Sequence, residues 1–292
     1  MKAIYKPAGK AAEYAEWACN FYVGCSNGCE YCYLRKGRGA KVLGGDRPTL
    51  KKCFRDEAHA LETFEKELKA NLSELQKSGL FFSFTTDPML YPMRINKNDG
   101  FYYTPNVSRM TGEATQIAVN NNVPVKILTK CADFAISSPM TWPHFYSSRK
   151  WLNLVAFGFT LTGHDDLEPG ASTNAERIEA MKRLHEAGFK TFASIEPIID
   201  YESSLRMLWS IRNICDLAKI GLEGGRKHSL IDLRTFIGKA IFWADGNNRS
   251  EHEMLRFKGF KLYFKDSLLK QAKVNRTDLP DICVMRDYDL FR

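Results

Sequence analysis

The strongest constraint on the fold is an alternation of short apolar runs with segments of helical periodicity. Six runs of strand length carry it, at 20–24, 80–86, 123–130, 153–162, 190–199 and 216–225, with 261–265 as a weaker seventh. Between the first two lies 58–77, where Leu61, Phe64, Leu68, Leu72 and Leu75 recur at helical spacing. Helical segments also fill 110–120 and 201–213. A further helix is expected between them, capped by Ser172 with Glu176 close behind and ended by Gly188. Nearly continuous apolar strands, each followed by a helix, predict a parallel sheet with helices outside.

Six such units in about 210 residues suit a partial (βα)6 TIM-like barrel, because eight would need more chain. The rival is a doubly wound open sheet, but no GxGxxG follows the first strand. In either case the loops at the C-terminal strand ends build the site. The expected division is an α/β barrel domain over 1–225 and a basic C-terminal extension over 226–292, acting in substrate binding or as a lid. No stretch approaches the 18 apolar residues of a membrane span. MKAIYKPAGK has no apolar core, so no signal peptide is expected. A cytoplasmic location and no membrane partner follow as expectations. Eight cysteines in 292 residues are too few for a disulfide scaffold.

Four of the cysteines, at 19, 25, 29 and 32, fall close together, while those at 53, 131, 215 and 283 are dispersed. The spacing Cys25-x3-Cys29-x2-Cys32 follows the first strand and can converge on one metal centre. Structural zinc wants four ligands in paired knuckles, and no second knuckle or histidine pair is present. Three thiolates on a four-iron cluster leave one iron open to an exogenous ligand, which suits chemistry on that ligand better than simple electron transfer.

This loop, with Tyr31 before the third cysteine, resembles the radical S-adenosylmethionine (radical SAM) superfamily over residues 18–225. Cys29-Glu-Tyr-Cys-Tyr-Leu34, Phe84-Thr-Thr-Asp-Pro88, Ile127-Leu-Thr-Lys130 and Ser194-Ile-Glu-Pro197 are most similar to the spore photoproduct lyase and DNA-repair-photolyase-like branch. The resemblance implies a [4Fe–4S] cluster on Cys25, Cys29 and Cys32, whose open iron binds SAM. It implies reductive cleavage of SAM to a 5′-deoxyadenosyl radical, with electrons from a flavodoxin- or ferredoxin-like donor.

The same resemblance implies cofactor contacts: Tyr33 near the adenine, Thr85 and Thr86 for the amino group, Lys130 for the SAM carboxylate, and Thr160 and Glu196 at later strand ends, the carboxylate suiting ribose hydroxyls. Cys131 is the candidate hydrogen donor and Tyr31 a candidate radical relay. One departure stands out: Phe84 occupies the place where the lyases carry their donor cysteine, which puts the lyase reaction itself in question. Asp87, Asp165 and Asp166 are candidate acids, or caps and solvated loop residues.

Lys+Arg 42 against Asp+Glu 34 gives +8, compatible with a polyanionic substrate without selecting one. Basic clusters occur at 35–38, 51–52 and 256–273, the last interleaved with Phe257, Phe260, Tyr263 and Phe264. The leading reading is a radical SAM enzyme acting on DNA or RNA in repair or modification. The alternatives are a peptide or small-molecule substrate and, from another class, a zinc-stabilised binding protein.

Overall fold

The chain is described as a computed structural model covering residues 2–36, 40–92, 94–97, 100–103, 105–136, 148–245 and 259–292, with 94–97 and 100–103 described for their backbone alone. It divides into two compact units, Met1–Val155 with Leu167–Ser172, and Ala156–Asp166 with Thr173–Arg292.

In the first unit the strands are β1 (Ile4–Tyr5), β2 (Ala18–Cys19), β3 (Tyr22–Val23), β4 (Thr49–Leu50), β5 (Leu80–Phe82), β6 (Arg94–Lys97), β7 (Gly100–Tyr103) and β8 (Val125–Thr129). The helices are α1 (Ala40–Leu43), α2 (Glu57–Ala70), α3 (Leu72–Ser78), α4 (Val107–Asn120), α5 (Asp133–Ile136) and α6 (Arg149–Leu154). The sheet runs β1-β2-β5-β8, antiparallel at its first pair and parallel thereafter. Two antiparallel ribbons, β3–β4 and β6–β7, stand apart from it.

The apolar spacing of α2 does what it predicts, burying Ala60, Phe64 and Leu68 on one face. Phe64 packs against Phe21 and Phe82 with ring centroids 5.7 and 6.3 Å apart. Complete burial of such a ring contributes about 1.5–3 kcal/mol.

The second unit holds β9 (Val155–Thr160), α7 (Asn174–Glu186), β10 (Lys190–Ile198), α8 (Tyr201–Ser210), β11 (Leu217–Leu222), α9 (Leu230–Ala244), β12 (Lys261–Phe264) and α10 (Asp266–Ala272). Its strands β9-β10-β11-β12 are all parallel. Every residue of β9 and β11 is buried, the pattern of strands covered on both faces.

Mixed α/β architecture with mostly parallel strands is therefore as expected, but several boundaries differ. The first parallel strand of the sheet is Ala18–Cys19 rather than 20–24, because Tyr22–Val23 turns away to pair with β4. The second strand ends at Phe82, so Thr85 and Thr86 lie beyond it in a loop. The helix expected over 58–77 breaks at Asn71, whose side chain donates to the Glu67 carbonyl. Thr173, not Ser172, caps α7: it receives the Glu176 N–H and Glu176 reaches back to Thr173 N–H, a capping box. Beyond residue 226, β12 extends the parallel ladder beside β11 through Leu217↔Lys261 to Ile220↔Phe264. Arg38 of the first basic cluster, and Arg256, Phe257 and Lys258 of the last, lie outside the described residues.

Candidate functional site

The cysteine loop leaves β3 and is folded by its own backbone. Cys25 N–H donates to the Gly45 carbonyl, Cys32 N–H to Cys29 and Arg35 N–H to Cys32. Cys25, Cys29 and Cys32 line one cavity together with Asn27, Gly28, Leu34, Arg35 and Leu43–Gly45. Among the described residues no three His, Cys, Asp or Glu side chains meet as the ligands of a single metal ion would. Burial pushes the Cys25 thiol up to about 12, the neighbouring Asp87 charge adding to this and the Asn27 and Asp87 backbone amides opposing it. Tyr33 is 64% exposed, with its hydroxyl donating to the Phe84 carbonyl.

Asp87 organises the floor of this site. It is 7% exposed and both carboxylate oxygens are engaged. Oδ1 accepts from the Thr129 hydroxyl at 2.6 Å and Met89 N–H at 3.0 Å. Oδ2 accepts from Asn27 Nδ2 at 2.8 Å and Lys130 N–H at 2.7 Å. One carboxylate thus ties the cysteine loop to the end of β8, the strand end that carries Lys130. Charge-assisted bonds of this kind are the strong ones. The role is structural rather than that of an acid, and it was visible in the sequence only as one of several candidate caps.

Asn20, 1% exposed, does the same for the loop after β5. Its Oδ1 accepts from the Ser83 hydroxyl, from Phe84 N–H at 2.7 Å and from Thr85 N–H at 3.2 Å. Thr85 spends its hydroxyl on the Tyr22 carbonyl at 2.6 Å. Thr86 differs: its hydroxyl is buried with no hydrogen-bond partner. A buried unsatisfied polar group costs about 1–3 kcal/mol, so this hydroxyl has capacity for a further hydrogen-bond partner. Phe84 stacks on Phe81 with ring centroids 4.7 Å apart.

Cys131 is buried with its thiol 3.9 Å from Asn27 Oδ1 and close enough to Cys25 to interact with it electrostatically. Burial pushes this thiol well above its ordinary range, with Asp87 and Cys25 adding to the effect, and so keeps the hydrogen on sulfur. Lys130 lies 3.9 Å from Glu168, whose carboxylate also accepts from the Tyr31 hydroxyl. Glu168 was not singled out in the sequence, and nothing local to Leu167–Ser172 marks it.

The two remaining candidates belong to the second unit. The Thr160 carbonyl accepts from the fully buried Arg177 at 2.8 Å. Glu196 pairs with Lys265 at 2.5 Å, and Lys265 is 1% exposed. Gly221 makes room for them: a β-carbon there would lie 2.7 Å from Glu196 Oε1 and 2.8 Å from Lys265 Cδ. His164 and Asp200 form a second pair at 2.5 Å.

Comparison with solved structures identifies the architecture. Streptococcus suis SuiB bound to S-adenosylmethionine superposes with a TM-score of 0.54 over 86% of this chain and 50% of that one, at 12% identity. A cysteine mutant of spore photoproduct lyase superposes with a TM-score of 0.54 over 92% of this chain and 74% of the lyase, at 14% identity. The fold is that of the radical SAM enzymes. A further lyase structure contains the dinucleoside spore photoproduct, with a TM-score of 0.51, 14% identity, and coverage of 92% of this chain and 73% of the lyase. In sequence, an uncharacterised protein of Methanocaldococcus jannaschii is 27% identical over 194 residues, 63% of this chain. The chain spans 61% of that relative's length and half of SuiB. No protein-family model matches.

Proposed function

We propose that this chain is a radical SAM enzyme, with a [4Fe–4S] cluster held by Cys25, Cys29 and Cys32. The observation that carries the reading is the convergence of those three thiols on one cavity, on a loop tied by Asp87 to the strand end bearing Lys130. The donor set fits the group: three thiolates leave one iron for an outside ligand, and the partnerless Thr86 hydroxyl is a polar atom prepared for one. When bound, cluster and SAM together would supply reductive cleavage of the SAM C5′–S bond to a 5′-deoxyadenosyl radical.

The chain's own residues would do the positioning within a partial (βα)6 barrel. The Lys130 ammonium would pair with the SAM carboxylate. Thr86, with Thr85 beside it, would meet the amino group. The exposed Tyr33 ring would stack near the adenine. Glu196, held by Lys265, would meet the ribose hydroxyls, and Thr160 would be a further cofactor contact. Cys131 would donate hydrogen from a thiol that burial keeps protonated, and Tyr31 would relay a radical.

The substrate we favour is DNA or RNA, in repair or modification, on the strength of the +8 charge and the lyase likeness. A peptide is the second reading, because SuiB bound to its precursor peptide superposes equally well, with a TM-score of 0.55. A flavodoxin- or ferredoxin-like donor would supply electrons in a reducing cytoplasm. No described helix is long and apolar enough to cross a membrane.

Anaerobic reconstitution tests the cofactor reading: about four irons and four sulfides per chain are expected. Zinc alone would instead support a non-catalytic binding protein. Salt-dependent binding to DNA or RNA near physiological ionic strength separates the substrates, and its absence removes the nucleic-acid reading.

A further inference from the structure

The segment Leu167–Ser172 belongs to the first unit although the chain on both sides belongs to the second. It forms a strap across the cysteine loop and the end of β8. Glu30 N–H donates to the Leu167 carbonyl at 3.0 Å, Gly170 N–H to Asn27 at 2.9 Å and Ser172 N–H to Lys130 at 3.1 Å. Ala132 N–H donates to Ser172 Oγ at 2.8 Å, which is why Ser172 is not the helix cap. A β-carbon on Gly170 would lie 2.3 Å from the Ser26 carbonyl oxygen, so the strap reaches the loop only with glycine there.

Glu168 stands in the middle of this strap with no solvent exposure of its side chain. One oxygen accepts from the Tyr31 hydroxyl and lies 3.9 Å from Lys130 Nζ. The ammonium is also 5.4 Å from the centre of the Tyr31 ring. A carboxylate stripped of water is costly unless its charge is matched, so these contacts are strongly preferred over alternatives. At 3.9 Å the ion pair is not a tight hydrogen bond, and an ammonium has three protons to give. Lys130 is thus held in place while keeping donors for a second carboxylate.

We propose that Glu168 is a positioning residue for SAM, aiming the Lys130 ammonium and the Tyr31 hydroxyl through the strap. This rests on the reading of Lys130 as the partner of the SAM carboxylate. The gain is preorganisation: a lysine already fixed loses less freedom when the cofactor binds.

The test uses the full reconstituted chain as parent, Glu168→Gln, Lys130→Ala and the double variant, titrating SAM against the electron paramagnetic resonance spectrum of the reduced cluster. Glu168→Gln is expected to raise the SAM dissociation constant about tenfold, the loss of one charge-assisted contact. Its iron content and its SAM-free spectrum should match the parent. Cleavage at saturating SAM should stay within about twofold, since positioning is lost and chemistry is not. The double variant should bind no more weakly than Lys130→Ala, because Glu168 acts through Lys130. Parent-like SAM binding by Glu168→Gln overturns the proposal, as do additive losses in the double variant. Loss of iron from Glu168→Gln also overturns it, by making Glu168 a support of the cluster loop. A parent that holds four irons yet does not respond to SAM overturns the SAM reading itself, and the proposal with it.

Discussion

Asp87, in the loop after β5 of the first unit, and Glu196, within β10 of the second, are both carboxylates, yet their surroundings are satisfied by different means. Asp87 takes four donors from three stretches of chain, none of them a side-chain cation. Glu196 takes one ammonium, Lys265, in a direct pair. The first arrangement gathers loops, since its donors come from three separate segments. The second neutralises a charge that burial would otherwise make expensive. A carboxylate that gathers loops shapes a site, whereas a paired one holds its own strand to a neighbouring cation.

The contrast can be broken in several ways, the most severe acting on what Asp87 organises. Cys29→Ala should abolish both iron binding and SAM cleavage, read by iron analysis and product detection. Persistent 5′-deoxyadenosine formation would refute the cluster assignment. Lys265→Met comes next, because it leaves Glu196 as an uncompensated, largely buried charge at a cost of about 3–5 kcal/mol. Pairing it with Glu196→Gln should recover most of that loss in denaturant unfolding. No recovery would mean that Lys265 matters through its other contacts.

Asp87→Asn should cost about 2–3 kcal/mol, since an amide cannot accept from all four donors and leaves buried N–H groups unpaired. It should also lower iron retention, whereas Lys265→Met should leave iron in place. Equal iron loss in the two would erase the distinction between the two carboxylates.

The smallest expected effect belongs to Asp200. Burial raises its carboxyl, but the Ser203 backbone N–H and His164 outweigh this and bring it down to about 2. A depressed carboxyl contributes stability above its unfolded value, near 3.9, and loses it as pH falls toward 2. Asp200→Asn should flatten stability between about pH 4 and pH 2 and, because that contribution is fully present above pH 4, lower it modestly at neutral pH. An unchanged acid limb would contradict this.

What was legible in the sequence follows the range of the interactions involved. β9, β10 and β11 could be read because continuous apolar runs are their own evidence of burial on both faces. β1 and β2 have two residues each, and their pairing with one another and with β5 has no local signature. The capping of α7 shows the same limit. Ser172 and Thr173 are equivalent locally, and only the distant Ala132 N–H, by claiming Ser172, decides between them. The three cysteines were legible because they lie within eight residues. Asn27–Asp87 and Tyr31–Glu168 were not, because 60 and 137 residues separate the partners. The chemistry was local and its support was not.

The most direct test of the account is reductive SAM cleavage by the anaerobically reconstituted full chain. With dithionite or a reduced flavodoxin as electron source, it should yield 5′-deoxyadenosine and methionine in step with each other, and none without reductant. Intact SAM after reduction, in protein that holds about four irons per chain, would contradict it.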